Sequence, residues 1–188
     1  MRLSEASTLD TMTSVTRTTH VLGSRAGLTT LTQQFRFRGD GATAEAIAGV
    51  LTTAPLTGSA SIFGDRPGEE GPSIGTSRTV RGFSPAPGFR FDVDLAPRGE
   101  GTFVVRFSQP DRTVPYLQGS LVWTLTNAED GAVLNEQINT EWAVQVAGEP
   151  LRGSRPSLRR WLFFRAGHKR VMSRATTNIA LLLDRRAR

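Results

Sequence analysis

An α+β fold is the class that the sequence predicts: an antiparallel sheet of about six or seven strands packed against one long C-terminal α-helix. Three observations predict it. The segment FRFDVDL (89–95) alternates apolar and charged residues, as a strand with one buried face does. Turn-forming residues separate several such segments. Apolar residues between Leu158 and Leu182 recur every three or four positions, which is typical of an amphipathic helix able to cover the sheet.

The N-terminal part is predicted to be an extension followed by a strand and a helix. Residues 1–26 are rich in Ser and Thr and have little apolar periodicity, so we expect a mobile extension, with a single domain over residues 27–188. The domain begins with a strand in LTTLTQQFRFR (28–38). One or two short helices should follow, the first in TAEAIAGVLTTAP (43–55), which Pro55 ends.

The middle of the chain is predicted to supply the rest of the sheet. Four further segments around FRFDVDL are predicted strands, and the second and third of them have apolar residues on one parity: SIGTSRTVRGF (73–83), TFVVRFS (102–108), GSLVWTLTN (119–127) and AVLNEQINTEWAV (132–144). The Asp130-Gly131 pair between the last two favours a tight hairpin. Short spacings with tight turns indicate an antiparallel meander.

A single helix over about 155–184 is predicted to end the domain. Ser154 and Pro156 are typical of a helix start. Thirty helical residues would span about 45 Å, so we expect a bend near Gly167, and the sequence leaves open whether the helix breaks there. In an unbroken helix, Phe163 and Leu181 would point away from the apolar stripe.

Composition excludes several function classes. The chain has no cysteine and two histidines, His20 and His168, which argues against disulfide scaffolds, thiol catalysis and a Cys- or His-rich metal centre. The sequence also lacks the common motifs of P-loop nucleotide-binding proteins, serine hydrolases and zinc metalloproteases. We therefore predict no metal and no cofactor.

Charge is distributed unevenly along the chain. Residues 1–151 contain 12 arginines and 16 acidic residues, a net −4, whereas residues 152–188 contain 11 basic residues and one acidic residue, a net +10. The basic segment either balances the acidic body or binds an anionic membrane surface or an acidic partner; nucleic acid is not predicted. No run reaches the ~18 apolar residues of a transmembrane helix, and the N-terminus lacks a secretory apolar core, so a cytoplasmic location is expected.

The order of elements resembles one known superfamily. Gly119 at the start of the Trp123 strand, the Asp130-Gly131 hairpin and the closing helix HKRVMSRATTNIALLLD (168–184) together resemble the START/polyketide-cyclase superfamily, also called SRPBCC or helix-grip. The likeness covers Leu28 to Asp184. It implies a highly curved sheet wrapped around the C-terminal helix, with a hydrophobic cavity between them. The second short helix usual in that family has no clear counterpart here, and the resemblance assigns no catalytic residue.

Strand parity and the helical stripe predict which side chains would line such a cavity. They are Phe91, Phe103, Phe107, Leu121 and Trp123 from the sheet, and Trp161, Phe164, Met172 and Ile179 from the helix. His168 lies on the same stripe, where it is either a general base or a structural residue bonded to a loop. An inward Arg78, Arg106, Glu136 or Glu141 would supply a second polar group, and Tyr116 is a candidate for the cavity mouth.

Three functions remain open at this point. The leading hypothesis is a non-metallic module that binds a hydrophobic small molecule, such as a lipid, a polyketide or an aromatic metabolite. The enzymatic alternative is a cyclase or dehydratase of aromatic polyketides, which needs at least two convergent polar groups in the cavity. The third is an interaction protein that docks on an acidic membrane or partner through its basic C-terminal helix.

Overall fold

The α+β class is confirmed, since the chain folds as one sheet with a helix packed against it. The computed structural model describes residues 12–25, 28–64, 68–71, 77–86, 89–110, 116–146, 149–152 and 158–188. Over these residues there are nine strands: β1 Ser14–Arg25, β2 Leu28–Arg38, β3 Glu69–Glu70, β4 Arg78–Ala86, β5 Phe89–Gly99, β6 Thr102–Ser108, β7 Tyr116–Ala128, β8 Gly131–Val146 and β9 Glu149–Arg152. There are two helices, α1 Ala44–Thr53 and α2 Leu158–Arg186.

All described strand pairs are antiparallel and belong to one sheet. Its order is β1-β2-β8-β7-β6-β5-β4-β3, and β9 pairs with the end of β8. The strand nearest the start of the domain, β2, therefore lies beside the last long strand, β8. The face of this sheet toward α2, here called the inner face, carries most of the buried core, including Phe35, Leu134, Leu125 and Leu95.

The six strands predicted from parity correspond to β2, β4, β5, β6, β7 and β8. Two others, β3 and β9, have two and four residues, too few for a periodic pattern to be recognised. The single short helix over the described residues, α1, agrees with the lower of the two predicted numbers. Thr43 caps it by accepting a hydrogen bond from the Ala46 amide.

The expectation of an extension over residues 1–26 needs correction, because Ser14–Arg25 forms β1 and pairs along β2. Residues 1–11 and 26 lie outside the described residues. The β1 sequence is rich in β-branched and polar residues, and polar side chains are well tolerated on an edge strand. Thr13 also donates two hydrogen bonds to Oδ1 of Asp184, over 3.1 and 2.7 Å, which ties the start of β1 to the end of α2.

The C-terminal helix runs from Leu158 through Gly167 to Arg186 as one element, so the structure shows no break at Gly167. Its second half is buried, with Met172, Ala175, Ile179 and Leu183 each at most 5% exposed. Asn178 donates a hydrogen bond to the Ile62 carbonyl over 3.2 Å, which fixes the loop after α1 against this half. The first half is less covered, and the candidate site lies there.

Candidate functional site

An apolar cleft of about 80 Å³ separates the inner face of the sheet from the first half of α2. The cleft is partly open to solvent. Strands β4, β5, β6 and β7 form one wall, and the opposite wall is α2. The lining residues are Phe63, Phe83, Pro85, Phe89, Phe91, Val93, Val105, Phe107, Leu121, Phe164, Gly167, His168, Val171 and Met172. Among these residues, His168 carries the only polar side chain.

A row of phenylalanines holds the cleft open at the level of Phe164. Its ring stacks on Phe107 with centroids 6.3 Å apart, and Phe107 meets Phe91 edge to face at 5.7 Å. Phe107 can lie flat against β7 because its partner there is Gly119, where a Cβ would come within 2.8 Å of the Phe107 ring. A glycine on the strand thus sets the position of this aromatic wall.

Most of the predicted cavity residues are brought together by the fold, and some are not. Phe91, Phe107, Leu121, Phe164, Met172 and His168 line the cleft. Phe103, Trp123 and Ile179 are at most 3% exposed and pack in the core without lining it. Their parity is the predicted one, but they lie further along the sheet or helix, where the two layers are in closer contact. The side chain of Trp161 is outside the described residues.

Sequence reasoning missed several lining residues for identifiable reasons. Val93 and Val105 share the parity of the predicted phenylalanines and were within reach of the same argument. The parity argument could not identify Phe83, because Phe83 faces inward together with Val80, and residues three positions apart point to opposite faces of a regular strand. A bulge between them changes the register, and Gly82 adopts the positive φ of +66° that the bulge needs.

A buried chain of hydrogen bonds begins at the cleft and runs into the sheet. Nε2 of His168 lies 2.9 Å from Oε1 of Glu136, and the Trp123 indole donates to Oε2 of the same carboxyl over 2.7 Å. Glu136 is 1% exposed and Trp123 is fully buried. Both oxygens of Glu136 thus have a partner, and this arrangement fixes the orientation of the His168 ring at the cleft wall.

Two further polar side chains lie near Glu136: the neutral amide of Gln33 and the positively charged guanidinium of Arg17. Gln33 faces Glu136 across the β2–β8 ladder and is 2% exposed, and none of the described residues forms a hydrogen bond with its amide. Burial lowers the pKa of Arg17 from its ordinary value, the Glu136 carboxylate opposes that shift, and Arg165 adds to it. The Glu136 carboxylate is therefore close enough to interact with the guanidinium charge of Arg17.

The other polar candidates have structural contacts. Arg78 donates to the Leu51 and Ala54 carbonyls and so caps the end of α1, and burial lowers its pKa. Arg106 points away from the cleft and pairs with Asp94 at 3.4 Å. The side chains of Glu141 and Tyr116 are outside the described residues. Of the three candidates whose side chains are described, Glu136 is the one that extends a polar contact to the cleft.

The side of α2 away from the sheet is basic and partly apolar. Arg165, Lys169, Arg170 and Arg174 are exposed, and Leu181 is 43% exposed, as the helical pattern predicts. The Phe163 side chain is outside the described residues. Over the part of the chain that the structure covers, no helix has the length and apolar character needed to cross a membrane. Docking through this basic side stays a prediction.

Comparisons with known proteins do not assign the chain to a family. No model of a known protein family matches it. No curated protein matches it either.

Proposed function

We propose that this protein binds an apolar small molecule in the cleft between the sheet and the first half of α2. The observation that carries the proposal is the lining of the cleft, which has one polar side chain among fourteen residues. Covering such an apolar surface is favourable, because each Å² removed from water lowers the free energy by about 25 cal/mol. An apolar ligand in contact with these side chains supplies that burial.

The size of the cleft restricts what it encloses. A volume of about 80 Å³ is roughly half that of an engineered apolar cavity of ~150 Å³ that binds benzene. The enclosed part thus suits the edge of an aromatic ring or the end of an acyl chain, and the remainder of a lipid, polyketide or aromatic metabolite would extend through the open side. The ligand class is accordingly one with a flat or narrow apolar end.

The architecture also supports a helix-grip interpretation. The first strand of the predicted domain, β2, pairs with the last long strand, β8, and α2 crosses the inner face of the same sheet. We propose on this basis that the chain is an SRPBCC-like protein whose curved sheet wraps the C-terminal helix. Its ligand would then lie between sheet and helix, where the cleft is.

Filling the cleft from Gly167 tests the proposal. A Cβ at Gly167 meets nothing within 4 Å, so Gly167→Leu projects into the cleft without a clash in the backbone. Binding of the neutral probe 1-methylnaphthalene, followed by chemical-shift changes in NMR spectra, should be measurable in the wild type and weakened at least about tenfold in Gly167→Leu. The matched control is Ala166→Leu, which adds the same side chain at an exposed neighbouring position and should bind like the wild type.

Two results of this experiment would contradict the proposal. If 1-methylnaphthalene does not bind the wild type, or if both leucine variants bind it equally well, the cleft is not a ligand site.

A second candidate function is acid–base catalysis of the cyclase or dehydratase type, without a metal. The contact between His168 and Glu136 supports it, because a carboxyl that orients an imidazole at a cavity wall is a common arrangement for a general base. Its test is cyclisation or dehydration of a linear poly-β-ketone thioester. The wild type should catalyse the reaction, and His168→Gln should lose it while still binding 1-methylnaphthalene. Equal turnover by both proteins would rule out His168 as the base.

A further inference from the structure

We infer that the cleft selects an apolar ligand that carries one hydrogen-bond donor, such as the hydroxyl of a phenol, and that this donor binds Nδ1 of His168. The inference rests on the proposed function and adds the ligand's polar group to it. It depends on which nitrogen of the imidazole carries the proton, and the buried chain behind His168 determines that.

The Trp123 indole fixes the role of Glu136. An indole N–H can only donate, so Oε2 of Glu136 accepts from it over 2.7 Å. An ionised carboxylate has only acceptors, so Oε1 accepts the remaining bond, from Nε2–H of His168 over 2.9 Å. The guanidinium of Arg17 interacts electrostatically with the same carboxyl group.

The proton on Nε2 leaves Nδ1 of the neutral ring as a hydrogen-bond acceptor. No described residue bonds to Nδ1, and His168 lines the cleft. We infer that Nδ1 is the atom that His168 turns toward the cleft, which makes it the one acceptor on an otherwise apolar lining. A ligand without a donor would cover this acceptor and leave it unsatisfied, which disfavours binding, whereas a hydroxyl would satisfy it.

The wall around His168 favours an aromatic ligand. The Phe164 and His168 rings stack with centroids 6.0 Å apart, and Phe107 also stacks on Phe164. A flat ring can pack on the phenylalanines of the cleft and meet His168 edge-on, which places its hydroxyl in the plane of the imidazole, where the Nδ1 lone pair lies. A phenolic ring meets both requirements.

Three naphthalenes of similar size test the inference: 1-naphthol has a donor, 1-methylnaphthalene has no polar group, and 1-naphthonitrile has only an acceptor. The affinity of each is measured by NMR titration for the wild type and for His168→Gln. The glutamine NH₂ group retains a donor for Glu136, and the only acceptor that remains, the amide oxygen, lies at a different position from Nδ1. We expect the preference for naphthol over methylnaphthalene to fall about tenfold in His168→Gln, with the affinity for methylnaphthalene little changed.

A second variant reverses the polarity of the same contact. Glu136→Gln keeps an oxygen for the Trp123 indole and presents an NH₂ group to Nε2 of His168, so the ring proton moves to Nδ1. Nδ1 then donates, and we expect naphthonitrile to gain about tenfold relative to methylnaphthalene. This gain is measurable even if His168→Gln proves too unstable to titrate.

The outcomes separate the two proposals. If none of the naphthalenes binds the wild type, the proposed function fails. If methylnaphthalene binds but neither variant changes the ligand preferences, the cleft is an apolar site and the inference about His168 is wrong. A wild-type preference for naphthonitrile over naphthol would also overturn it, because the proton would then lie on Nδ1.

Discussion

The two halves of α2 pack against the same sheet in different ways. In the second half, Ala175 is fully buried and Ile179 is 1% exposed, and neither of them lines the cleft. In the first half, Phe164, Gly167 and Val171 are only partly buried and line the cleft. Both halves have apolar residues at the same helical spacing, so periodicity alone does not tell them apart.

Side-chain size explains the difference. Ala175, Thr176 and Ala180 are small, and they let the second half come close to α1 and the sheet. Phe164 is large and stacks on Phe107, which keeps the first half at a distance, and Gly167 contributes no side chain to fill the space. The comparison teaches that a stripe of apolar residues fixes which face is inward, while the alternation of large and small residues decides whether a gap remains.

The largest expected difference between the halves is in the free energy of unfolding that is lost when a side chain is shortened to alanine. Ile179→Ala removes a fully packed side chain and should lower the free energy of unfolding by about 2–5 kcal/mol. Val171→Ala removes methyl groups that border an open cleft, so no closed cavity forms and the cost should be about 1 kcal/mol. Urea unfolding followed by circular dichroism measures both. Equal losses would mean that the two halves are packed alike.

Enlarging a side chain should change the stability of the two halves in opposite directions. Ala175→Leu overfills a site with no spare volume and should cost about 1–3 kcal/mol. Gly167→Leu removes a helical glycine and enters open space, so it should raise stability by up to about 1 kcal/mol. Thermal unfolding of the two variants beside the wild type checks this. A destabilised Gly167→Leu would show that the first half has no room.

The smallest effect on stability is expected for the ion pairs of Asp130, which lie on the side of the sheet away from α2. Asp130 pairs with Arg38 at 2.7 Å and Arg36 at 2.9 Å, and the bond from Arg38 is the main reason that the pKa of Asp130 is lowered from its ordinary 3.8. A lowered pKa stabilises the fold above the unfolded-state value, and this stabilisation is lost as the pH falls through the folded-state value.

We therefore expect Asp130→Asn to be slightly less stable than the wild type at pH 7, with the gap closing as the pH falls below about 4. Urea unfolding at a series of pH values measures it. A gap that persists at low pH would indicate a role for Asp130 other than its charge, and Ala166→Leu, which leaves the hairpin unchanged, serves as the control.

Much of the fold was predictable because its signals are local. Period-two alternation in FRFDVDL and TFVVRFS identified β5 and β6, and the Asp130-Gly131 pair identified the β7–β8 hairpin. The edge strand β1 was missed because its Thr-rich sequence contains few apolar residues, and the strand gains its structure by pairing with β2. An edge strand of this kind has no strong periodic signal of its own.

The candidate site was only partly predictable. His168 was identified because it is a polar residue on an apolar stripe, and Glu136 was among the candidates without a fixed orientation. Their contact depends on the register of β8 against β7, which places Glu136 opposite Trp123 and within reach of α2. A register is a long-range property, and no local pattern in the sequence reports it.

The sequence by itself determined the class of the fold, the inward faces of its strands and the amphipathic character of its last helix, because alternation and helical spacing depend only on near neighbours in the chain. Only the tertiary structure decided that Glu136 joins Trp123 to His168, and that a gap remains beside Gly167 and not beside Ala175. These features arise where residues from distant strands meet one helix, and the distance between the two layers is set by the sizes of all the side chains that meet there.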